Sequence, residues 1–221
     1  MGYFRELPDV EYQSFLSDAI SSKDYLLVKN LFRRNKLRDD LQNVFTLFNK
    51  YQIPEGARPD VVAEEFYGSA ELDWVVLMTA GIINVRDEWP LSNYHLYYHV
   101  ENKYGVENLS NIHHYETIEV KDSKDRFILP VGKDVNEDFT LNYSDDGSKV
   151  SLSGDDVRRG VTNWEYETRK NNEKSSIYLL KRGYLQQFLN DMREIMTYGL
   201  SSQYINESLI RTENTKVTIP N

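Results

Sequence analysis

Four histidines and two glycine-flanked aspartate doublets are the residues of this 221-residue chain whose types and spacing could do chemistry. His95 and His99 stand four apart, which on a helix puts two metal ligands on one face. A zinc protease built on that pattern needs Glu next to the first His as general base, and this chain has Leu96. His113 and His114 are adjacent, so in a strand they are expected to point to opposite faces, a poor chelating pair. Asp145-Asp146 and Asp155-Asp156 lie beside Gly147 and Gly154. Glycoside hydrolysis needs one carboxyl in an apolar pocket and a second at a set distance. These doublets sit in polar, turn-like sequence, where both stay ionised. A calcium loop of the EF-hand type is excluded, because Asp145-Asp146-Gly147 lacks the alternating ligands and the closing Glu. No phosphate-cradling glycine loop, G-x-S-x-G elbow or Ser/His/Asp grouping can be read. The expectation is a protein with no catalytic residue, no metal site and no cofactor.

What the sequence offers instead is surface. The run Arg33-Arg34-Asn35-Lys36-Leu37-Arg38 is the strongest local charge feature. In a chain of net charge −9 it suits carboxylates on a partner. The same net charge opposes general nucleic-acid binding, which needs a basic surface. Sixteen tyrosines, against nine phenylalanines, favour an extensively contacted protein. There are no cysteines, hence no disulfide framework and no thiolate metal site. Nothing at the start reads as a signal peptide, since Arg5 and Glu6 interrupt it.

The elements that must position these residues centre on Tyr51 to Leu91. Tyr51, Gln52 and Ile53 alternate like the end of a half-buried strand. Pro59 suits a first helical position, and Asp60 suits the helix dipole. Val62, Ala63, Phe66 and Tyr67 fall on one helical face, and Gly68 suits a left-handed stop. Ser69 is the expected cap of a second helix whose apolar side is Leu72, Val75, Val76 and Met78, ending at Gly81. Each large apolar side chain of this pair is worth roughly 1.5–3 kcal/mol if fully buried. A unit of about 40 residues cannot bury them all internally. Some must pack on the rest of the chain or on a partner. The apolar run Trp74 to Ile83 is too short to span a bilayer.

Two resemblances follow from these residues. The pattern Y-x-I-x-x-G, P-D-x-V-A-x-x-F-Y-G, L-D-W-V-V-L resembles a LysM module, whose order is strand, helix, helix, strand. The runs KNLFRRNKLRDD (Lys29 to Asp40), RPDVVAEEFYGSAELDWVVLM (Arg58 to Met78), WPLS (Trp89 to Ser92), HLYYHVENKYG (His95 to Gly105) and NWEYETRKNNEKSSIYLL (Asn163 to Leu180) together resemble the baseplate wedge protein of contractile-tailed bacteriophages of the T-even type. That likeness covers about Asp24 to Met196. Sugar-binding LysM modules carry a Gly-Asp-Thr turn after the first strand; here the turn is Gly56-Ala57-Arg58. Their closing strand is also missing after Leu91, where Ser92 reads as a helix cap.

The resemblance implies a structural component of the tail baseplate wedge, with no enzymatic activity. It implies contacts with other wedge proteins, the central hub and sheath-proximal tail proteins, no nucleic acid, no membrane, and several copies per virion. Assembly would take place in the host cytoplasm. The alternative is a peptidoglycan-binding LysM module or a cell-wall hydrolase. The candidate interface residues are Tyr3, Phe4, Arg33, Arg34, Lys36, Arg38, Arg58, Tyr67, Trp74 and Trp89. The fold class is α+β: a LysM-like strand-helix-helix core, flanking helices, a small β-region and a C-terminal helix. The expected division is an N-terminal arm and helix over 1–50, the core with its following helix over 51–105, and an α+β region over 106–221. In the first part, Leu37 to Tyr51 suits a helix, although its Val, Phe and Thr content also allows a strand. Tyr115 to Lys121 and Arg126 to Val131 read as strands, Asn142 to Lys149 as a loop or hairpin turn, and Tyr184 to Tyr198 as a helix. The tail from Gly199 is polar and expected to be mobile, and both ends are expected to act as clasping arms.

Overall fold

The computed structural model describes residues 2–13, 25–33, 35–37 and 46–212. They form a mixed α+β structure with seven α-helices and five small sheets. By its contacts the chain groups into two compact units: Met1–Ile53, Ala57–Trp89 and Ser176–Asn221 form the first, and Pro54–Gly56 with Pro90–Ser175 the second.

The first unit begins with a short helix α1 (Tyr3–Glu6) and strands β1 (Asp9–Gln13), β2 (Tyr25–Lys29) and β3 (Phe48–Gln52). The helix expected over Leu37 to Tyr51 is therefore corrected at its described end, where Phe48 to Gln52 is extended. Positions 38–45 lie outside the described residues. Helix α2 (Pro59–Tyr67) starts at Pro59 and ends on Gly68 at φ 80°, whose N–H bonds to the Glu64 carbonyl. A single 3₁₀ turn, Ala70–Leu72, leads into α3 (Asp73–Thr79). Gly81 (φ 72°) stops that helix: its N–H bonds to Met78 and that of Ile82 to Leu77, the paired bonds of a Schellman ending. Only glycine reaches such a φ without strain. The short α4 (Val85–Glu88) follows, capped by the Asn84 side chain.

The second unit opens with α5 (Asn93–Tyr104), where the Ser92 hydroxyl caps the His95 N–H as the sequence suggests. Next come β4 (Ile112–Thr117), β5 (Val120–Lys121), β6 (Phe127–Leu129) and β7 (Asp134–Val135). The hairpin β8 (Thr140–Asp145) and β9 (Ser148–Ser153) narrows the expected loop to Asp146-Gly147. Both turn residues have positive φ, 47° and 88°, the conformation of a two-residue hairpin turn that follows the strand twist. Strand β10 (Arg158–Thr162) pairs with β4 and runs into α6 (Asn163–Lys174), capped by the Thr162 hydroxyl.

The chain then returns to the first unit as β11 (Ser176–Leu180), α7 (Arg182–Met196), β12 (Tyr204–Asn206) and β13 (Leu209–Arg211). Strand β11 pairs antiparallel with β3, from Ser176 opposite Gln52 to Leu180 opposite Phe48. A strand-helix-helix-strand unit is thus closed by a strand distant in sequence. Its core holds Val62, Ala63, Val75, Val76 and Leu179, all fully buried, with Leu189, Met192 and Met196 of α7 laid over them. Strand β13 pairs parallel with β1 (Val10 opposite Ile210), giving a sheet of order β12-β13-β1-β2. Within the tail expected from Gly199, residues 204–206 and 209–211 are strands, and β13 brings that segment beside β1. Positions 213–221 lie outside the described residues.

Leu179 is fully buried, lies opposite Asn49 of β3 and shares one core with residues of α3 and α7, so its loss leaves a cavity there. Leu179→Ala is expected to lower stability by about 2–5 kcal/mol in a denaturant melt. An exposed change such as Tyr178→Ala is expected to cost far less.

Candidate interaction site

Several residues singled out in the sequence gather around one hollow in the first unit. Tyr3, Lys36, Trp74, Leu77, Met78 and Ile83 line a space of about 800 Å³. Helix α1 brings Tyr3 there, and the Glu6 carboxylate, 2.9 Å from Arg193 Nε, ties α1 to α7. The Tyr3 ring lies 5.7 Å from Trp74, whose indole meets Phe188 at 5.8 Å on another side. Trp74 is otherwise buried, while Ile83 is 87% exposed at the rim. Asn35 also lines the hollow, and its Oδ1 is buried without a hydrogen-bond partner among the described residues.

The other expected contact residues lie apart from it or serve the fold. Phe4 is exposed beside Tyr3. Trp89 is buried, and its Nε1 donates to the Ala57 carbonyl at 2.8 Å, which fixes the turn into α2. The Tyr67 hydroxyl donates to the Leu180 carbonyl, and burial pushes its phenol well above the ordinary value. Arg58 is held only loosely by Asp60 at 3.2 Å, with most of its side chain in solvent. Arg33 donates to the Ile195 and Thr197 carbonyls and covers the Tyr198 ring. Arg34 and Arg38 lie outside the described residues.

Several of the groups suited to chemistry are put to structural use. His95 and His99 are both exposed, and His95 Nδ1 contacts the capping Ser92 hydroxyl. His113 and His114 do not diverge: the β4–β10 register skips His113, and the resulting bulge brings the two Nδ1 atoms to 2.9 Å. His114 Nε2 lies 3.3 Å from Glu116 and 3.5 Å from Asp134. The three could gather a metal ion by distance, their ligand atoms lying within 4.8 Å of one another. Glu116, however, already accepts from Arg169 Nη1 at 2.6 and 2.7 Å through both oxygens, so a cation occupies that role. Arg169 holds the Glu116 carboxyl below its ordinary value, against the opposing effect of burial. At Glu167 burial pushes the carboxyl up, and hydrogen bonds from Lys103 and Tyr104 outweigh it to leave a net lowering. Asp145 accepts from the Ser123 N–H and hydroxyl, and Asp146 pairs with Lys124, so that doublet clamps a neighbouring turn.

Comparison with known proteins turns the question to assembly. The family model of the phage base plate wedge protein 53 matches residues 9–195. The chain belongs to that family. No relative is found among curated proteins. Membership makes this wedge protein a structural component of the phage tail baseplate, in the virion, contacting other baseplate components in several copies. No helix among the described residues is long and apolar enough to cross a membrane.

The sequence reading missed one surface of the wedge protein. Tyr94, Tyr97 and Tyr98 stand exposed on α5, with Tyr94 and Tyr98 at 4.8 Å and Tyr97 6.2 Å from Trp164 of α6. Their i, i+3 and i+4 spacing was visible, but only the burial of Leu96 and Val100 shows which face turns inward.

The Glu116–Arg169 pair makes a pH prediction. Because the folded carboxyl is lowered, its stabilisation is complete above the unfolded value and is lost as pH falls through the folded one. Glu116→Gln is expected to cost about 1.5–3 kcal/mol at pH 7. It is also expected to flatten the acid limb of a melt followed by tryptophan fluorescence.

Proposed function

We propose that this wedge protein works by surfaces alone, clamping neighbouring wedge proteins and linking them to the hub, and performs no turnover. The observation that carries this reading is the family match over residues 9–195. The grouping of Tyr3, Lys36 and Trp74 at one apolar hollow supports a docking place there. In this reading Ile83 at the rim, with Arg58 and Phe4 as exposed neighbours in sequence to the core, meets partner side chains. Aromatic and arginine side chains of this kind concentrate binding energy. Assembly takes place in the host cytoplasm before the tail is complete. The contacts are replaceable, since a contractile baseplate changes shape.

We further infer that β3, α2, α3 and β11 make a LysM-like core. Its order and the antiparallel β3–β11 pairing support this. The closing strand sought after Leu91 is supplied by Ser176–Leu180, with Pro90–Ser175 inserted before it. The same arrangement favours the second reading, a peptidoglycan-binding module. The Gly56-Ala57-Arg58 turn, in place of Gly-Asp-Thr, opposes it.

Co-expression with the neighbouring wedge proteins, followed by sizing, tests the first reading. Wild type is expected in a larger complex, and Ile83→Asp is expected to weaken incorporation about tenfold or more, with an unchanged melt. A clean monomer in every pairing would overturn the reading. Retention on purified peptidoglycan would favour the second.

A further inference from the structure

Strand β2, Tyr25-Leu26-Leu27-Val28-Lys29, lies at one edge of the four-stranded sheet. Among the described residues it pairs with β1 on one side only. The Asn30 N–H donates to the Pro8 carbonyl, and the register sets Val28 opposite Val10 and Leu26 opposite Tyr12. Ladder bonds of an antiparallel pair fall on alternate residues. Leu26 and Val28 therefore bond to β1, while the backbone N–H and C=O groups of Tyr25, Leu27 and Lys29 point away from the sheet. The other side of β1 agrees, since Asp9 and Glu11 bond outward toward Ser208 and Thr212.

This edge is apolar on both of its faces. Leu26, Leu27 and Val28 are exposed, and Leu31 and Phe32 follow, the latter 98% exposed. Sheet edges are usually blunted by charge, proline or a cover, because open backbone groups template another strand. Here the one charge within the strand, Lys29, is drawn back to Asp9 at 2.9 Å and to the Leu7 carbonyl. Beyond it, the described contacts of Arg33 are carbonyls and a ring, so a fixed cation stands at that end with its charge not neutralised by them.

We propose that β2 receives an extended strand from a neighbouring wedge protein, apolar at alternate positions and acidic where it passes Arg33. Only a strand matches the outward row of donors and acceptors, and only apolar side chains match Leu26, Leu27 and Val28. A carboxylate at the Arg33 end completes the match and fixes the direction of the added strand. This inference rests on the wedge reading above and names one of its contacts.

Leu27→Pro removes an outward N–H that makes no bond to β1, a place where an edge strand tolerates proline. Leu27→Lys blunts the same edge without touching the backbone. The full chain and each variant are co-expressed with the neighbouring wedge proteins and sized, and amide exchange is compared between the isolated and assembled states. Amides of Leu27 and Lys29 are expected to exchange about tenfold or more slower in the complex. Both variants are expected to lose about tenfold or more of their incorporation at an unchanged melting temperature. Wild-type incorporation of both variants, or equal exchange in both states, overturns strand addition and leaves the wedge reading standing. A wild-type chain that joins no complex overturns the wedge reading itself. A dimer of the isolated chain that Leu27→Lys abolishes assigns the edge to a second copy and overturns the proposal.

Discussion

The antiparallel pairing of Phe48–Gln52 with Ser176–Leu180 is the contact on which the first unit depends. Helices α2 and α3 carry more apolar surface than a two-helix pair can bury between themselves. The β3–β11 ladder gives them a floor, with Ile53, Ile177 and Leu179 in their core, and α7 gives them a cover. Because α7 follows β11 directly, one return of the chain delivers both. Loop closure over so long an intervening segment costs entropy only logarithmically in its length, so an inserted unit is compatible with a stable core.

The second unit is held differently. Its sheets are short, and polar groups do much of the joining: Glu116 with Arg169, Glu167 with Lys103 and Tyr104, and Asn171 with the backbone of Leu91. Asn171 both donates to the Leu91 carbonyl and accepts from its N–H, so a buried amide substitutes for a strand partner. Glu116 and Glu167 are thereby committed to ion pairs that join elements of this unit.

Local signals were legible wherever a backbone rule is strong. Pro59 as first helical residue, Gly68 and Gly81 as stops, and Ser92 as a cap all stand where the sequence put them. The helix over Tyr184 to Tyr198 is found at Arg182–Met196. Non-local pairing was not legible. The strand at Phe48 read first as helix, with a strand allowed, because short apolar runs lack a decisive period, and only the pairing with β11 decides it. The region from Gly199 read as a polar tail because strands of three residues leave almost no pattern. Adjacent histidines were expected to diverge, and a bulge, which depends on the partner strand, brought them together.

For the candidate surfaces, residue type named Arg33, Arg58, Tyr3 and Trp74, but type does not say which face is open. Burial moved Trp89 and Tyr67 into the fold, and packing gathered Tyr3, Lys36 and Trp74 at one hollow. The sequence by itself determined α2, α3, α5 and α7 and the stops or cap at Gly68, Gly81 and Ser92, because those follow from neighbours within a few residues. Tertiary structure alone decided that β11 closes the core, that β1 and β13 share a sheet, and that β2 has no second strand partner among the described residues. Those outcomes depend on which distant strands find each other, and backbone hydrogen bonds carry no residue identity by which the sequence could announce them.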